Sequence, residues 1–187
     1  MEKTAIALLA EGFEEVEAVT PIDYLRRAGV AVTVAALGKE IAVKGARGVT
    51  ILADATLADL ATPGKADAWD AVVVPGGLPG AANIAASPEA RALIRRMAAA
   101  GKLVCAICAS PVVALAPLGV LDGKKFACYP GMEKNALGGE WVEAPVAVDG
   151  NLVTASGAGA SGLFSLAIVA ALLGEAKADE IARAVLL

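Results

Sequence analysis

The sequence predicts an α/β protein, a mainly parallel sheet with helices on both faces, formed as a single domain over residues 1–187. Two observations carry this. Wholly apolar runs at residues 4–10, 71–74 and 103–107 have the pattern of strands covered on both sides. Between such runs lie segments of helical spacing with start and stop residues, so strand and helix alternate along the chain. No linker, repeat or low-complexity stretch divides it.

After the first strand, residues 14–28 have helical spacing, with Arg26 and Arg27 in the last turn and Gly29 as the C-terminal stop. Residues 30–37 form a second strand, and 41–43 with 49–52 form a hairpin around a turn containing Gly45. The strand at 71–74 ends in Pro75-Gly76-Gly77. Ser87-Pro88-Glu89 opens a helix with an N-cap, proline in the first turn and an early acid, and Gly101 ends it. The strand at 103–107 runs directly into a helix starting near Ala109. Residues 124–128 and 141–148 read as strands, Asp149-Gly150 as a hairpin turn and 152–155 as the returning strand. Helices at 161–173 and 178–185 complete the chain.

Composition excludes several functions. Sixteen Lys and Arg against 20 Asp and Glu leave a net charge of −4, which argues against nucleic-acid binding. A hydrophobic fraction of 57% with 19% charged residues excludes disorder. The uncharged windows at 103–121, broken by Pro111 and Pro117, and 150–174, rich in Gly, Ser and Thr at first, are poor membrane spans, and no targeting segment is recognisable. Three cysteines, Cys105, Cys108 and Cys128, are too few for a disulfide scaffold, so the expected location is the cytoplasm. There is no histidine, which removes Ser-His-Asp triads, Cys-His dyads and His-ligated metals. Cys105 and Cys108 have C-x-x-C spacing, but Cys128 supplies only a third thiol, and neither a metal nor a cofactor is expected.

Residues 157–162 spell G-x-G-x-x-G between a strand and a helix, as in dinucleotide-binding folds. That fold also needs a following strand ending in a ribose-binding acid, and the short remainder of the chain reads as helix. The motif is therefore read as a tight glycine turn.

The chemistry concentrates where parallel strands end, the usual place for sites in open sheets. Cys108 lies between the strand at 103–107 and the helix start Ala109-Ser110-Pro111, where a helix N-terminus favours thiolate over thiol. Position alone fits a nucleophile and a small inert core residue equally. Gly76 and Gly77, with the N–H of Ala109, have the makings of an oxyanion hole, or simply of a strand-ending turn. Glu17 shares a helix face with Phe13, Thr20, Pro21 and Tyr24, while Glu14 and Glu15 fall outside that stripe. A carboxyl on the apolar side has a raised pKa; the plainer reading is a solvated acidic helix start.

Ala-Glu-Gly-Phe-Glu-Glu-Val-Glu at 10–17, Arg-Arg-Ala-Gly at 26–29, Val-Val-Val-Pro-Gly-Gly at 72–77 and Ala-Ile-Cys-Ala-Ser-Pro at 106–111 together resemble the ThiJ/PfpI superfamily, in the branch of the parkinsonism-associated protein deglycase. The resemblance runs in order from about Thr4 to the C-terminus. It implies a flavodoxin-like sandwich, usually a homodimer, with the reactive cysteine at Cys108, its carboxylic acid partner at Glu17 and backbone anion-binding glycines at Gly76 and Gly77. It also implies glyoxalase or deglycase chemistry on reactive dicarbonyls, oxidative-stress sensing or chaperone activity. Two departures stand out. Tyr129 occupies the place where many relatives carry histidine, and Ala109 follows the cysteine where protease branches have histidine, so peptidase activity is not expected. Ser156 and Ala158 replace the Arg and Pro of close relatives in the glycine-rich turn.

Two functions follow from these residues. In the first, the chain is an enzyme on small α-oxoaldehydes such as methylglyoxal, with Cys108 as nucleophile and Glu17 moving the proton. In the second, it is an oxidative-stress sensor or chaperone without turnover, in which Cys108 oxidises to the sulfinate beside a protonated Glu17.

Overall fold

A computed structural model of the chain describes residues 2–60 and 69–187. In chain order the first half comprises β1 (Thr4–Leu9), α1 (Glu15–Arg27), β2 (Ala31–Ala36), β3 (Ala42–Lys44), β4 (Thr50–Leu52), β5 (Ala55–Thr56), α2 (Leu57–Leu60), β6 (Ala71–Val74), α3 (Gly80–Ala86) and α4 (Pro88–Ala99). The second half comprises β7 (Leu103–Ile107), β8 (Lys125–Phe126), β9 (Glu140–Trp141), β10 (Val146–Asp149), β11 (Leu152–Ala155), α5 (Ser161–Leu173) and α6 (Glu175–Val185).

Seven strands form one sheet in the order β10-β11-β7-β6-β1-β2-β5. Every neighbouring pair is parallel except the β10–β11 hairpin. The apolar runs are explained by burial on both faces. On one face Ala5, Ala7 and Leu9 of β1 and Cys105 and Ile107 of β7 pack with Leu25 of α1, Phe164 and Ile168 of α5 and Ile181 of α6. On the other face Ile6, Leu8, Val72, Val74 and Val104 pack with Ile84 of α3 and Leu93, Ile94 and Met97 of α4. Alternate residues of each central strand thus enter two separate cores, and neither face of the strand is left for polar side chains. Among the described residues no helix is long and apolar enough to cross a membrane.

The helix start at Ser87 and the helix stop at Gly29 are formed as read. The Ser87 hydroxyl accepts from Ala90 N–H at 3.2 Å, and Gly29 takes φ +86° just after α1. Other expectations are corrected. The segment after Ala109 is not an α-helix: Pro111–Leu115 forms a π-helix and Ala116–Leu118 a 3-10 turn. Pro117 has no N–H to give the carbonyl of Val113, so the α pattern cannot continue. The strand expected at 124–128 is only β8, because the N–H of Ala127 turns to Thr154 Oγ1 at 2.8 Å. The strand expected at 141–148 divides into β9, beside β8, and β10, beside β11, with donor-less Pro145 just before β10. The final helix begins at Glu175 rather than at residue 178. β5, α2 and α3 had no legible signal; they are short, and α3 is built mostly of Gly and Ala with no apolar periodicity.

The parallel strands converge at their carboxyl ends. β1 leads into the Gly12-Phe13 turn, β6 into Pro75-Gly76-Gly77, β7 into Cys108 and β11 into Ser156-Gly157. Hydrogen bonds lock these ends together: Cys108 N–H donates to Ala155 O at 2.9 Å, Glu14 N–H to Gly76 O at 3.0 Å and Gly80 N–H to Gly12 O at 3.1 Å.

Candidate active site

Cys108 occupies a conformation that few residues other than glycine adopt, with φ at +64°. For an L-residue this costs roughly 1–2 kcal/mol. Its own backbone holds it there, since the N–H is bonded to Ala155 O and the carbonyl accepts from Tyr129 N–H at 2.8 Å. The result is a sharp strand-ending corner with the thiol directed into a pocket of about 380 Å³. Glu17, Gly77, Ala109, Tyr129 and Ala158 also line this pocket.

Glu17 reaches the site because α1 begins one residue after Glu14, whose carboxylate caps the helix by accepting from Glu17 N–H at 2.8 Å. The helix then runs through Pro21 without a break, and Glu17 is left 1% exposed. Its Oε2 accepts the N–H of Gly76 at 2.9 Å, and its carboxyl is hydrogen-bonded to the Cys108 thiol. The reading of Glu17 as a solvated acid is thereby excluded.

The glycine loop is shaped by what it must approach. A Cβ at Gly76 would lie 2.6 Å from Glu17 Oε2 and 2.7 Å from Cys108 Cβ, so any side chain there would separate the pair. Gly77 takes φ +85°, and a Cβ would lie 2.5 Å from Glu14 N. The N–H groups assigned to an oxyanion hole divide into two uses. Those of Gly77 and Ala109 bond to the Cys108 sulfur, whereas that of Gly76 is engaged by Glu17.

The electrostatics differ from the simplest sequence argument. Burial raises the Glu17 pKa to about 7; the hydrogen bond from Cys108 and the Gly76 N–H work against this, and the Glu14 charge adds to it. Burial, then the Glu17 charge and hydrogen bond, push the Cys108 thiol up to about 12, against the lowering effect of the Gly77 and Ala109 N–H groups. The segment that follows Cys108 is a π-helix rather than the expected α-helix, and its lowering influence on the thiol comes through the Ala109 N–H. The two groups therefore titrate as one unit, holding a single proton between them over a wide pH range. Cys105 and Cys128 lie in the two cores and are held neutral by burial.

A profile of the DJ-1/PfpI family matches residues 3–171. The chain belongs to that family. It is 42% identical over 188 residues to Protein dj-1beta of Drosophila melanogaster, covering 100% of this chain and 98% of the fly protein. The crystal structure of that fly protein superposes with a TM-score of 0.93 at 41% identity, over 100% of this chain and 99% of the other. The chain is also 32% identical over 182 residues to the Glutathione-independent glyoxalase DJR-1.2 of Caenorhabditis elegans, covering 96% of this chain and 94% of that protein. The resemblance carried by the four sequence motifs is borne out, and with it the flavodoxin-like fold.

Other residues of the pocket were not foreseen in the sequence. Arg47, from the β3–β4 turn, supplies the one cation among the described residues lining the pocket. Its place is set by Glu15, which is buried rather than outside the apolar stripe, because the turn folds over it. Glu15 Oε1 accepts from Arg47 N–H at 2.6 Å and Val49 N–H at 3.3 Å. A Cβ at Gly45 would lie 2.5 Å from that carboxyl, so the turn closes only on glycine. Leu78, Ala46 and Met132 complete the walls. The glycine turn after β11 borders the site as well, since a Cβ at Gly157 would lie 3.6 Å from the Tyr129 ring. Among these, the Gly45 turn and the glycine turn at 157–162 had a signal in the sequence; the rest come from tertiary closure.

The raised Glu17 pKa has a consequence for stability. The folded state binds this proton more tightly than the unfolded state, so the contribution is full below pH 4.5 and is lost as pH rises through about 7. The size is on the order of 3 kcal/mol. Urea unfolding of wild type and Glu17→Gln between pH 4.5 and 7.5 should show a fall in stability with pH in wild type that the variant lacks; parallel curves would contradict a raised Glu17 pKa.

Proposed function

We propose that the protein is a cysteine-dependent glyoxalase or deglycase-type enzyme acting on reactive dicarbonyls of the methylglyoxal class, or on their adducts. The carrying observation is the Cys108 thiol hydrogen-bonded to the buried Glu17 carboxyl inside a small pocket. The relationship to a protein named as a glutathione-independent glyoxalase supports it, because a resident thiol takes the place of a soluble one.

In this reading the Glu17 carboxylate accepts the thiol proton as sulfur bonds to the aldehyde carbon and the carbonyl π pair moves onto oxygen. The oxyanion lies beside the N–H groups of Gly77 and Ala109, while Gly76 keeps Glu17 in place. Glu17 passes its proton to that oxygen, removes the hydrogen of the former aldehyde carbon as a proton and returns it to the neighbouring carbon, while the hydroxyl proton moves to the neighbouring oxygen as the first carbon regains its carbonyl. The first carbon is oxidised and the second reduced, so no external redox partner is needed. The product is a thioester of a 2-hydroxy acid, which water hydrolyses to the acid and free Cys108. A Glu17 pKa of about 7 suits both directions of transfer at neutral pH. Tyr129, half exposed at the pocket wall, stands where many relatives carry histidine and is given no proton step in this reading. A thiol held protonated by burial and by Glu17 is a slow target for peroxide, so turnover is preferred to sensing.

The protein acts on small molecules in the cytoplasm as a homodimer. Helices α1 and α5 pack together and leave Val16, Val19 and Leu163 about half exposed, an apolar surface suited to a second copy.

Two outcomes are expected. Lactate should form from methylglyoxal without added thiol, and Cys108→Ala and Glu17→Ala should each lower the rate by about 10²-fold or more; activity surviving in both variants would end this reading. Light scattering should give twice the chain mass for wild type and one chain mass for Val16→Glu/Val19→Glu, and a monomeric wild type would remove the dimer.

A further inference from the structure

The peptide unit between Pro75 and Gly76 is held at both ends. Its carbonyl oxygen accepts a hydrogen bond of 2.5 Å from the Ser110 hydroxyl, and its N–H donates to Glu17 Oε2 at 2.9 Å. Ser110 is fully buried and Glu17 nearly so, so water does not stand in for either partner. Ser110 lies two residues beyond Cys108, which makes the hydroxyl a direct tie between the nucleophile corner and the glycine loop. Neither Gly76 nor Gly77 has a side chain to resist rotation of the peptide plane, so its orientation depends on such bonds. A carbonyl that accepts a hydrogen bond also polarises its own peptide and strengthens the N–H as a donor.

We propose that Ser110 is a positioning residue for the reaction: it sets the plane of the Pro75–Gly76 peptide and thereby aims the N–H that holds the Glu17 carboxylate beside Cys108. Ser110 touches no substrate; it acts through Gly76. Its turnover arm rests on the glyoxalase reading, whereas the Glu17 titration does not.

The sign of the effect follows from the bond. The Gly76 N–H stabilises the charged carboxylate, so loosening it raises the pH at which Glu17 ionises. The other groups facing Glu17 are Glu14 from its own helix start and Cys108 from the end of β7. Arg47 from the β3–β4 turn and Tyr129 from the loop after β8 line the same pocket. Loss of the Ser110 hydroxyl removes none of them.

The test is a carbon-13 NMR titration of the glutamate carboxyls, with Glu17 assigned by its disappearance in Glu17→Gln. Ser110→Ala should raise the Glu17 midpoint by about half a unit or more, and Ser110→Thr, which keeps the donor, should leave it at the wild-type value. On methylglyoxal, Ser110→Ala should lower kcat about tenfold with KM little changed. Should Ser110→Ala fail to fold, Ser110→Cys fills the space with a weaker donor, and its Glu17 midpoint is read the same way. A Glu17 midpoint unmoved in Ser110→Ala despite a lower Tm, or moved equally in Ser110→Thr, would overturn the proposal. A wild type that makes no lactate defeats the glyoxalase reading but leaves the titration intact.

Discussion

The structure of the site depends on the hydrogen bond between the Glu17 carboxyl and the Cys108 thiol. Both groups are acids, both are taken out of water, and neither charge is favoured there without help. Sharing one proton solves the problem: whichever group is charged is hydrogen-bonded by the other and by a backbone N–H, Gly76 for the carboxylate and Gly77 with Ala109 for the sulfur. In a chain with no histidine, and with Glu17 the carboxyl that acts on the thiol among the described residues, proton movement at the sulfur falls to Glu17. That arrangement makes the cysteine a reactant that is unmasked when its proton moves to Glu17, rather than a standing thiolate.

The sheet exists at the right geometry for this bond. Two cores hold β1, β6, β7 and β11 in parallel register, so their ends cannot move apart without opening buried apolar contacts. The glycines at 76 and 77 let the loop after β6 approach closely enough to lie against both members of the pair. The strained corner at Cys108 points the thiol away from the sheet, and the hydrogen bonds of its own peptide groups hold it there. Local strain at the reacting residue is thus maintained by the most rigid part of the fold.

Much of this is legible in the sequence, for reasons that are physical. Central strands buried on both faces must be continuously apolar, so β1, β6 and β7 are visible as runs, and strand ends in a parallel sheet locate Cys108, Gly76 and Gly77. Glu17 is visible as the acid on the wrong face of a helix. What escaped depends on closure in three dimensions. Glu15 looks solvated until the β3–β4 turn covers it, and Arg47 belongs to the pocket only because Glu15 holds that turn. The Cys108 thiol is pushed up rather than down because burial and the Glu17 carboxylate that packing brings to the sulfur outweigh the Gly77 and Ala109 N–H groups, and neither the burial nor that contact is visible along the chain.

The most direct measurement of the shared proton is the pH dependence of Cys108 alkylation by iodoacetamide in wild type and Glu17→Gln. The thiolate should form in wild type only far above neutrality, toward pH 12, because burial and the Glu17 carboxylate oppose it. Glu17→Gln removes the like charge, so its midpoint should fall by about one unit or more. Midpoints that coincide at about 8.5, the ordinary value for a free thiol, would contradict the coupling of Cys108 to Glu17.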